Sequence, residues 1–434
     1  MPAPSTLTAI AIAAPWFAAL LVAAFRRQSR AVGFCAALVS VAASALLARA
    51  TPSLYGGLML LFSCLTLGAT LILARRDCTP AAIAGILFLL GSTLLAYSAE
   101  NLLVLLAAWV LSTIPFLVPG WFRAQSWRPS AALLISSIAL ALAIAFIVNG
   151  SHTSNLANLK GRNPGGVAAF ALLVVAVIFR KGICPAHAWV GDAVESGPVI
   201  PTALLLNGHF GALLVAKAIV PLFSQTAGSM FPVLSYLAIA TAVYVAIRAL
   251  TENSPRRLLA YIALSQSACI LAGLESGTPE GIAGALVHWI VVTVSTLALL
   301  GILRLLEVRF GENLTASRHL GLAEHAPRLA VFFVVFALAL VGLPGTLSFC
   351  SQELLVHGTL TSHPLTGLLL PIATAMNAVS AFRLFTRLFL GKHRTGFTVV
   401  ADALPRERWI LTAGVLFVVA GGLFPNVIVA SLGR

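Results

Sequence analysis

The chain has 434 residues, of which 59% are hydrophobic and only 9% charged. A soluble domain carries about a quarter charged residues, so this composition excludes an ordinary water-soluble globule and points to lipid as the solvent. The net charge of +14 is that of Lys and Arg held in loops on the cytoplasmic face, so a nucleic-acid partner is not expected.

The apolar runs are continuous, as in GILFLLGSTLLAYSA and AVFFVVFALALVGL. Barrel strands alternate apolar and polar positions, so an all-α polytopic membrane protein is the fold class. With about 20 residues per crossing, roughly fourteen spans are predicted. They start near Thr6, Ala31, Gly56, Ala81, Asn101, Ser130 and Gly166, then near Val199, Phe231, Arg257, Ile282, Leu329, Pro364 and Trp409. No hydrophilic stretch is long enough for a soluble domain, so residues 1–434 read as one membrane domain. Arg26, Arg27 and Arg30 follow the first run instead of preceding it, which argues for a retained first span and not a cleaved signal. The six cysteines (Cys35, Cys64, Cys78, Cys184, Cys269, Cys350) lie in or beside apolar runs without metal-ligand spacing and read as packing thiols.

Basic residues cluster in alternate loops: Arg26/Arg27/Arg30, Arg75/Arg76, Arg123/Arg128, Arg256/Arg257, Arg309/Arg318/Arg328 and Lys392/Arg394/Arg406/Arg408. Lys160 and Arg162 are the exceptions. The positive-inside rule makes these loops cytoplasmic and puts both termini on the outer face of a cell inner (plasma) membrane.

Two stretches break the run of simple spans. In RKGICPAHAWVGDAVESGPVIPTALLLNGH, Gly182, Pro185, Gly197, Pro198 and Pro201 interrupt apolar sequence; in VGLPGTLSFCSQELLVHG, Pro344 and Gly345 precede Gln352 and Glu353. Proline frees carbonyls, and such backbone persists at membrane depth only where protein or a wet cavity satisfies it. A pair of interrupted segments, one in each half, is the pattern of an inverted-repeat transporter.

Most of the residues that could carry chemistry sit at or near these breaks. Lys181 follows the apolar run 167–179 with Arg180 beside it; either it binds and releases a proton at depth, or it snorkels with Arg180 to the interface. His187, Asp192 and Glu195 read as a proton-uptake or electrostatic partner set for Lys181, or as a polar turn in which Asp192 caps the next segment. His209 is a relay near the middle of its span, or a histidine bonded to a neighbouring carbonyl. Lys217 closes that span and can snorkel. His288 shares a helical face with Ser295 and Thr296, whose hydroxyls are expected to bond back to the helix. Glu353, beside Gln352, is a buried carboxylate or a helix-start acid. No nucleotide-binding or zincin motif is present, so no autonomous catalytic site, cofactor or bound metal is expected.

With these segments in place, the chain resembles the antiporter-like membrane subunits of respiratory complex I, Mrp antiporters, membrane-bound hydrogenases and two-component inorganic-carbon accumulation systems. The matching stretches are AENLLVLLAAWVL, RKGICPAHAWVGDAVESGPVIPTALL, SPRRLLAYIALSQS, GALVHW, GLPGTLSFCSQELL and AFRLFTRLFLG, in family order. The most specific is the string from Lys181 through Pro185, His187 and Trp189 to Asp192 and Glu195. The resemblance implies fourteen helices as two inverted five-helix repeats (81–223 and 231–391) with broken helices 7 and 12. It implies a midplane proton pathway in which Lys181 falls on the pumping lysine and His288 on a relay histidine.

The departures matter as much. Where the family has a glutamate after the fifth-helix tryptophan, Val110 follows Trp109; the later relay histidine and central lysine fall on Val292 and Thr296, and the terminal charge falls near Gln352. The chain also ends at Arg434, without the long lateral helix of the largest complex I subunit. The expected function is a proton- or cation-translocating, energy-coupling subunit of a larger complex. Its pathway uses Lys181, His209, His288 and Glu353, supported by His187, Asp192, Glu195, Lys217 and Gln352. The favoured assembly is the inorganic-carbon type, with a soluble zinc-bearing protein partner; a complex I, hydrogenase or Mrp subunit, and a non-conducting scaffold that anchors a partner, are the alternatives.

Overall fold

A computed structural model describes residues 3–118, 126–311, 314–391 and 401–432. Arg123, Lys392 and Arg394 lie outside the described residues. The first six crossings are uninterrupted helices: α1 (Pro4–Ala24), α2 (Ser29–Ala50), α3 (Leu54–Ile72), α4 (Pro80–Ser98), α5 (Leu102–Leu117) and α6 (Arg128–Ser151). After a short α7 (Leu156–Leu159), the seventh crossing is split into α8 (Gly166–Lys181) and α9 (Ala188–Ser196). The eighth is interrupted too, as α10 (Val199–Asn207), α11 (Phe210–Leu214), a π-helical turn and α12 (Val220–Leu222). Then come α13 (Ser224–Thr251), α14 (Pro255–Leu274) and α15 (Pro279–Phe310). The twelfth is split into α16 (Pro327–Leu340) and α17 (Leu347–Ser362), followed by α18 (Pro364–Phe389), α19 (Pro405–Leu423) and α20 (Pro425–Leu432).

Ten of the described segments are long and apolar enough to cross a membrane alone. The shorter Leu102–Leu117 and Pro327–Leu340, with the α8–α9 pair and α19, bring the crossings to the fourteen expected from sequence. Their boundaries follow from simple chemistry. Ser53, Thr79, Asn101 and Thr278 each accept a backbone N–H of the first turn, and proline opens α4, α14, α15, α18 and α19. The ninth span starts at Ser224 and not near Phe231. Its first turns, SQTAGSM, are too polar for an apolar-run criterion to find.

Helices 7 and 12 break where glycine and proline predicted. α8 ends at Gly182, whose φ is +72°; a Cβ there would lie 2.5 Å from the Val190 side chain, so only glycine fits. Between α16 and α17, Pro344 stands between Gly342 and Gly345, both at positive φ. The turn still satisfies itself, since Leu343 N–H bonds the Leu338 carbonyl and Thr346 N–H the Leu343 carbonyl. α14 and α15 are the centre of the bundle: 94% and 89% of their most apolar windows are buried, against 28% for α1. α14 packs against α9, α13, α15, α17 and α18. The two broken crossings thus meet one central pair of helices.

Candidate ion pathway

Lys181 is the last residue of α8 and is buried, as is Arg180 before it. Neither snorkels. Arg180 is held by the Thr113 hydroxyl at 2.9 Å and by Ser112, and lies over the rings of Trp109 and Phe210, a cation–π arrangement that suits a desolvated guanidinium. Lys181 turns inward. Its Nζ lies 2.9 Å from His209 Nδ1 and bonds Ser267 Oγ. Among the described residues no carboxylate pairs with it. Space for the lysine stem comes from Gly211, where a Cβ would lie 2.3 Å from Lys181 Cγ.

His209 owes its position to the interruption of the eighth crossing. It has φ +45°, a left-handed conformation uncommon outside glycine, at the junction of α10 and α11. That break aims its buried ring at Lys181 and packs it edge-on against Trp289, with ring centroids 5.4 Å apart. The amine and the imidazole nitrogen can share one proton. An ammonium donates to a neutral Nδ1, and a neutral amine accepts from a protonated one.

Ser267 has Gln266 beside it on α14, and Gln266 begins the next link. His288 on α15 lies 3.0 Å from Gln266 Oε1 through Nε2 and 3.0 Å from Ser351 Oγ through Nδ1. Gln266, His288 and Ser351 are all fully buried. Oε1 only accepts, so Nε2 donates. Ser351 can point its hydroxyl at Nδ1, or at the Ser348 carbonyl 2.8 Å away, and so fits either a neutral or a protonated His288. Beyond it a cavity of about 190 Å³ is lined by Gln266, Cys269, His288, Gln352, Glu353 and Thr374. Glu353 stands at its edge as an exposed residue, 3.7 Å from His357, and is not the buried carboxylate considered from sequence. Gln352 bonds Ser348 Oγ at 3.3 Å.

Lys181 and His209 therefore form one polar cluster between α8 and α14, and His288, Gln352 and Glu353 lie at a second one between α14, α15 and α17. The other expected members join neither. Lys217 bonds the Tyr97 and Ala99 carbonyls at 2.5 and 2.9 Å, where it caps the end of α4. His187 lies 3.4 Å from Cys184 Sγ and packs on Tyr244. Asp192 binds Arg257 at 2.8 Å and Arg128 at 3.2 Å, and Glu195 accepts from Ser254. Asp192 belongs to an ion-pair network at the basic end of the bundle, Glu195 touches it through its backbone carbonyl, which accepts from Arg256, and neither acid is a partner of Lys181. In the same network Arg256 pairs twice with Glu307, and Arg304 twice with Asp77, every contact 2.6 Å. Val110 lies on an exposed face of α5, while Trp109 beside it is fully buried. Thr296 spends its hydroxyl on the Val292 carbonyl, as expected, and on Asn207 Oδ1.

Sequence reading missed Gln266, Ser267 and Ser351, the groups that join the titratable residues. The available signal was a Gln-Ser pair in the middle of a span; polar side chains at that depth are rare without a role.

Broken seventh and twelfth helices, with a buried lysine and two histidines along a central helix pair, define a many-span membrane subunit built around a polar core. The family model described as NADH:quinone oxidoreductase/Mrp antiporter, TM, matches residues 99–377, and the chain belongs to that family. It is 27% identical to NADH-quinone oxidoreductase subunit N 3 of Streptomyces griseus over 65% of this chain and 52% of that protein. It is 25% identical to subunit N of Alkalilimnicola ehrlichii over 80% of this chain and 74% of that one. The chain thus spans about half the length of the first of these relatives. In fold it is similar to a chain of the Mrp complex from Dietzia (TM-score 0.85, 19% identity, 99% and 96% of the two chains). It is equally similar to a chain of respiratory complex I from Thermus thermophilus (0.85, 23%, 96% and 97%).

Proposed function

We propose that this chain is a proton- or cation-translocating, energy-coupling membrane subunit of a multi-subunit complex. The observation that carries the reading is a pair of buried polar clusters, Lys181–His209–Ser267 and Gln266–His288–Ser351, that meet at neighbouring residues of α14. Their titratable members, Lys181, His209 and His288, hold and release protons; Gln266, Ser267 and Ser351 orient them. The cavity at Glu353 admits water at one end, and Glu353 faces a partner subunit there. The basic loops lie on the cytoplasmic side of the inner membrane and both termini on the outer side. The matching interruptions in helices 7 and 12 favour two inverted repeats over 81–223 and 231–391.

Of the assemblies such a subunit enters, we favour the two-component inorganic-carbon type. There a soluble zinc-bearing partner hydrates carbon dioxide and this chain couples that step to an ion gradient. Its support is the thinned charge row, Val110 and Thr296 standing where the resemblance places charged residues, which suits an assembly whose partner completes the pathway. The names of the sequence relatives support a complex I-like assembly as the second reading. Mass spectrometry of the complex captured from native membranes separates the two, since it yields either a zinc protein or redox subunits. The same thinned row is what a non-conducting scaffold would have. Lys181→Met or Lys181→Ala tests conduction: ion-dependent activity in cells is expected to fall at least tenfold at normal expression. Full activity would leave the scaffold reading standing.

A further inference from the structure

A second, larger cavity, of about 580 Å³, lies away from the pathway. It is an apolar groove between α3, α15 and α19 that runs from Leu54 to Ile72 along α3. At 1.5 Å per residue that is about 28 Å, close to the roughly 30 Å hydrocarbon thickness. Gly57 lines it with nothing within 4 Å of where a Cβ would stand, so its face opens into the groove. Acyl chains surround a membrane protein everywhere, and apolar lining alone selects none of them.

Selection comes from the basic end. Arg75 lies just beyond Ile72. Arg406 lies one helical turn before Ile410, which lines the groove from the same face of α19. Arg30 reaches the carbonyl of Leu73, next to Ile72. Arg30, Arg75 and Arg309 all act on Arg406 as like charges. Glu407 acts on it too, but that carboxylate is bound to Arg309 at 2.6 Å. Among the described residues neither Arg30, Arg75 nor Arg406 forms an ion pair, and the Nε atoms of Arg30 and Arg406 are buried without a hydrogen-bond partner. Crowded guanidiniums around a membrane groove match a phosphate, which they bind with charge and several donors.

We propose that this groove is a binding site for an anionic phospholipid, with the phosphate among Arg30, Arg75 and Arg406 and an acyl chain lying along α3 toward Gly57. Each arginine near a membrane surface contributes about fivefold in affinity for anionic lipid. The test uses the full chain in mild detergent. It is supplied with equimolar phosphatidylglycerol and phosphatidylcholine of identical acyl chains, and bound lipid is counted by native mass spectrometry. The wild type is expected to retain phosphatidylglycerol at least tenfold over phosphatidylcholine. Arg75→Gln/Arg406→Gln is expected to erase that preference. Gly57→Leu, whose Cβ would have nothing within 4 Å and whose side chain would extend into the groove, is expected to lower the retention of both lipids. Equal retention of the two lipids by the wild type, or an unchanged preference in the double variant, overturns the proposal. So does a polypeptide, in place of lipid, crosslinked to a photoreactive residue at position 57.

Discussion

Among the described residues Lys181 has no counter-ion, and its partners are a histidine and a serine. A charge so placed is held by few groups, and its surroundings must keep their shape. Gly211→Ala would drive a methyl into the lysine stem. Overpacking of this kind costs about 1–3 kcal/mol, so a lower melting temperature and reduced ion-coupled activity are expected; unchanged values in both would show that the stem is loosely held. His288 separates chemistry from structure. His288→Gln keeps groups able to bond Gln266 and Ser351 but holds no exchangeable charge, so activity should fall while thermal stability stays near wild type. His288→Leu leaves the buried Gln266 Oε1 unpartnered and should lose about 1–3 kcal/mol in addition. Equal activity in wild type and His288→Gln would remove His288 from the pathway.

At the scale of elements, the ion-pair network joins α14 and α15 to the α3–α4 connection. Breaking a buried pair costs about 3–5 kcal/mol because the surviving charge is stranded. Glu307→Ala, which strands Arg256 and leaves Arg304 with Asp77 alone, is therefore expected to destabilise strongly in a thermal melt. Arg128→Ala should cost less than about 1 kcal/mol, since Arg128 is 58% exposed in its pair with Asp192. A reversed order would contradict this assignment. The difference also explains what the sequence could reveal. Span starts, the breaks at Gly182 and Pro344, and the depth of Lys181 and His288 are local properties, written in runs of neighbouring residues. Arg304 and Asp77 are 227 positions apart, and Lys181 and Ser267 are 86 apart. No local pattern pairs them, so Asp192 and Glu195, near Lys181 in the chain, were natural but mistaken partners for it. His209 was placed on the correct span, yet the left-handed turn that aims it has no glycine to announce it.

At the scale of the molecule, the polar groups of the pathway extend from α8 to α17, where Glu353 is exposed beside His357. A charged side chain facing lipid at depth costs at least about 2.5–3.5 kcal/mol, which favours a protein neighbour on that face. A photoreactive residue at position 353 is expected to crosslink to another subunit in native membranes; exclusive crosslinking to lipid would place that face against the bilayer.

The central claim is that protons or cations pass along the pathway through Lys181. Its most direct test is ion flux into liposomes holding the native complex, wild type beside Lys181→Met, with subunit composition checked in both. The account predicts that flux falls at least tenfold while the complex stays whole. Undiminished flux in the intact Lys181→Met complex would contradict it.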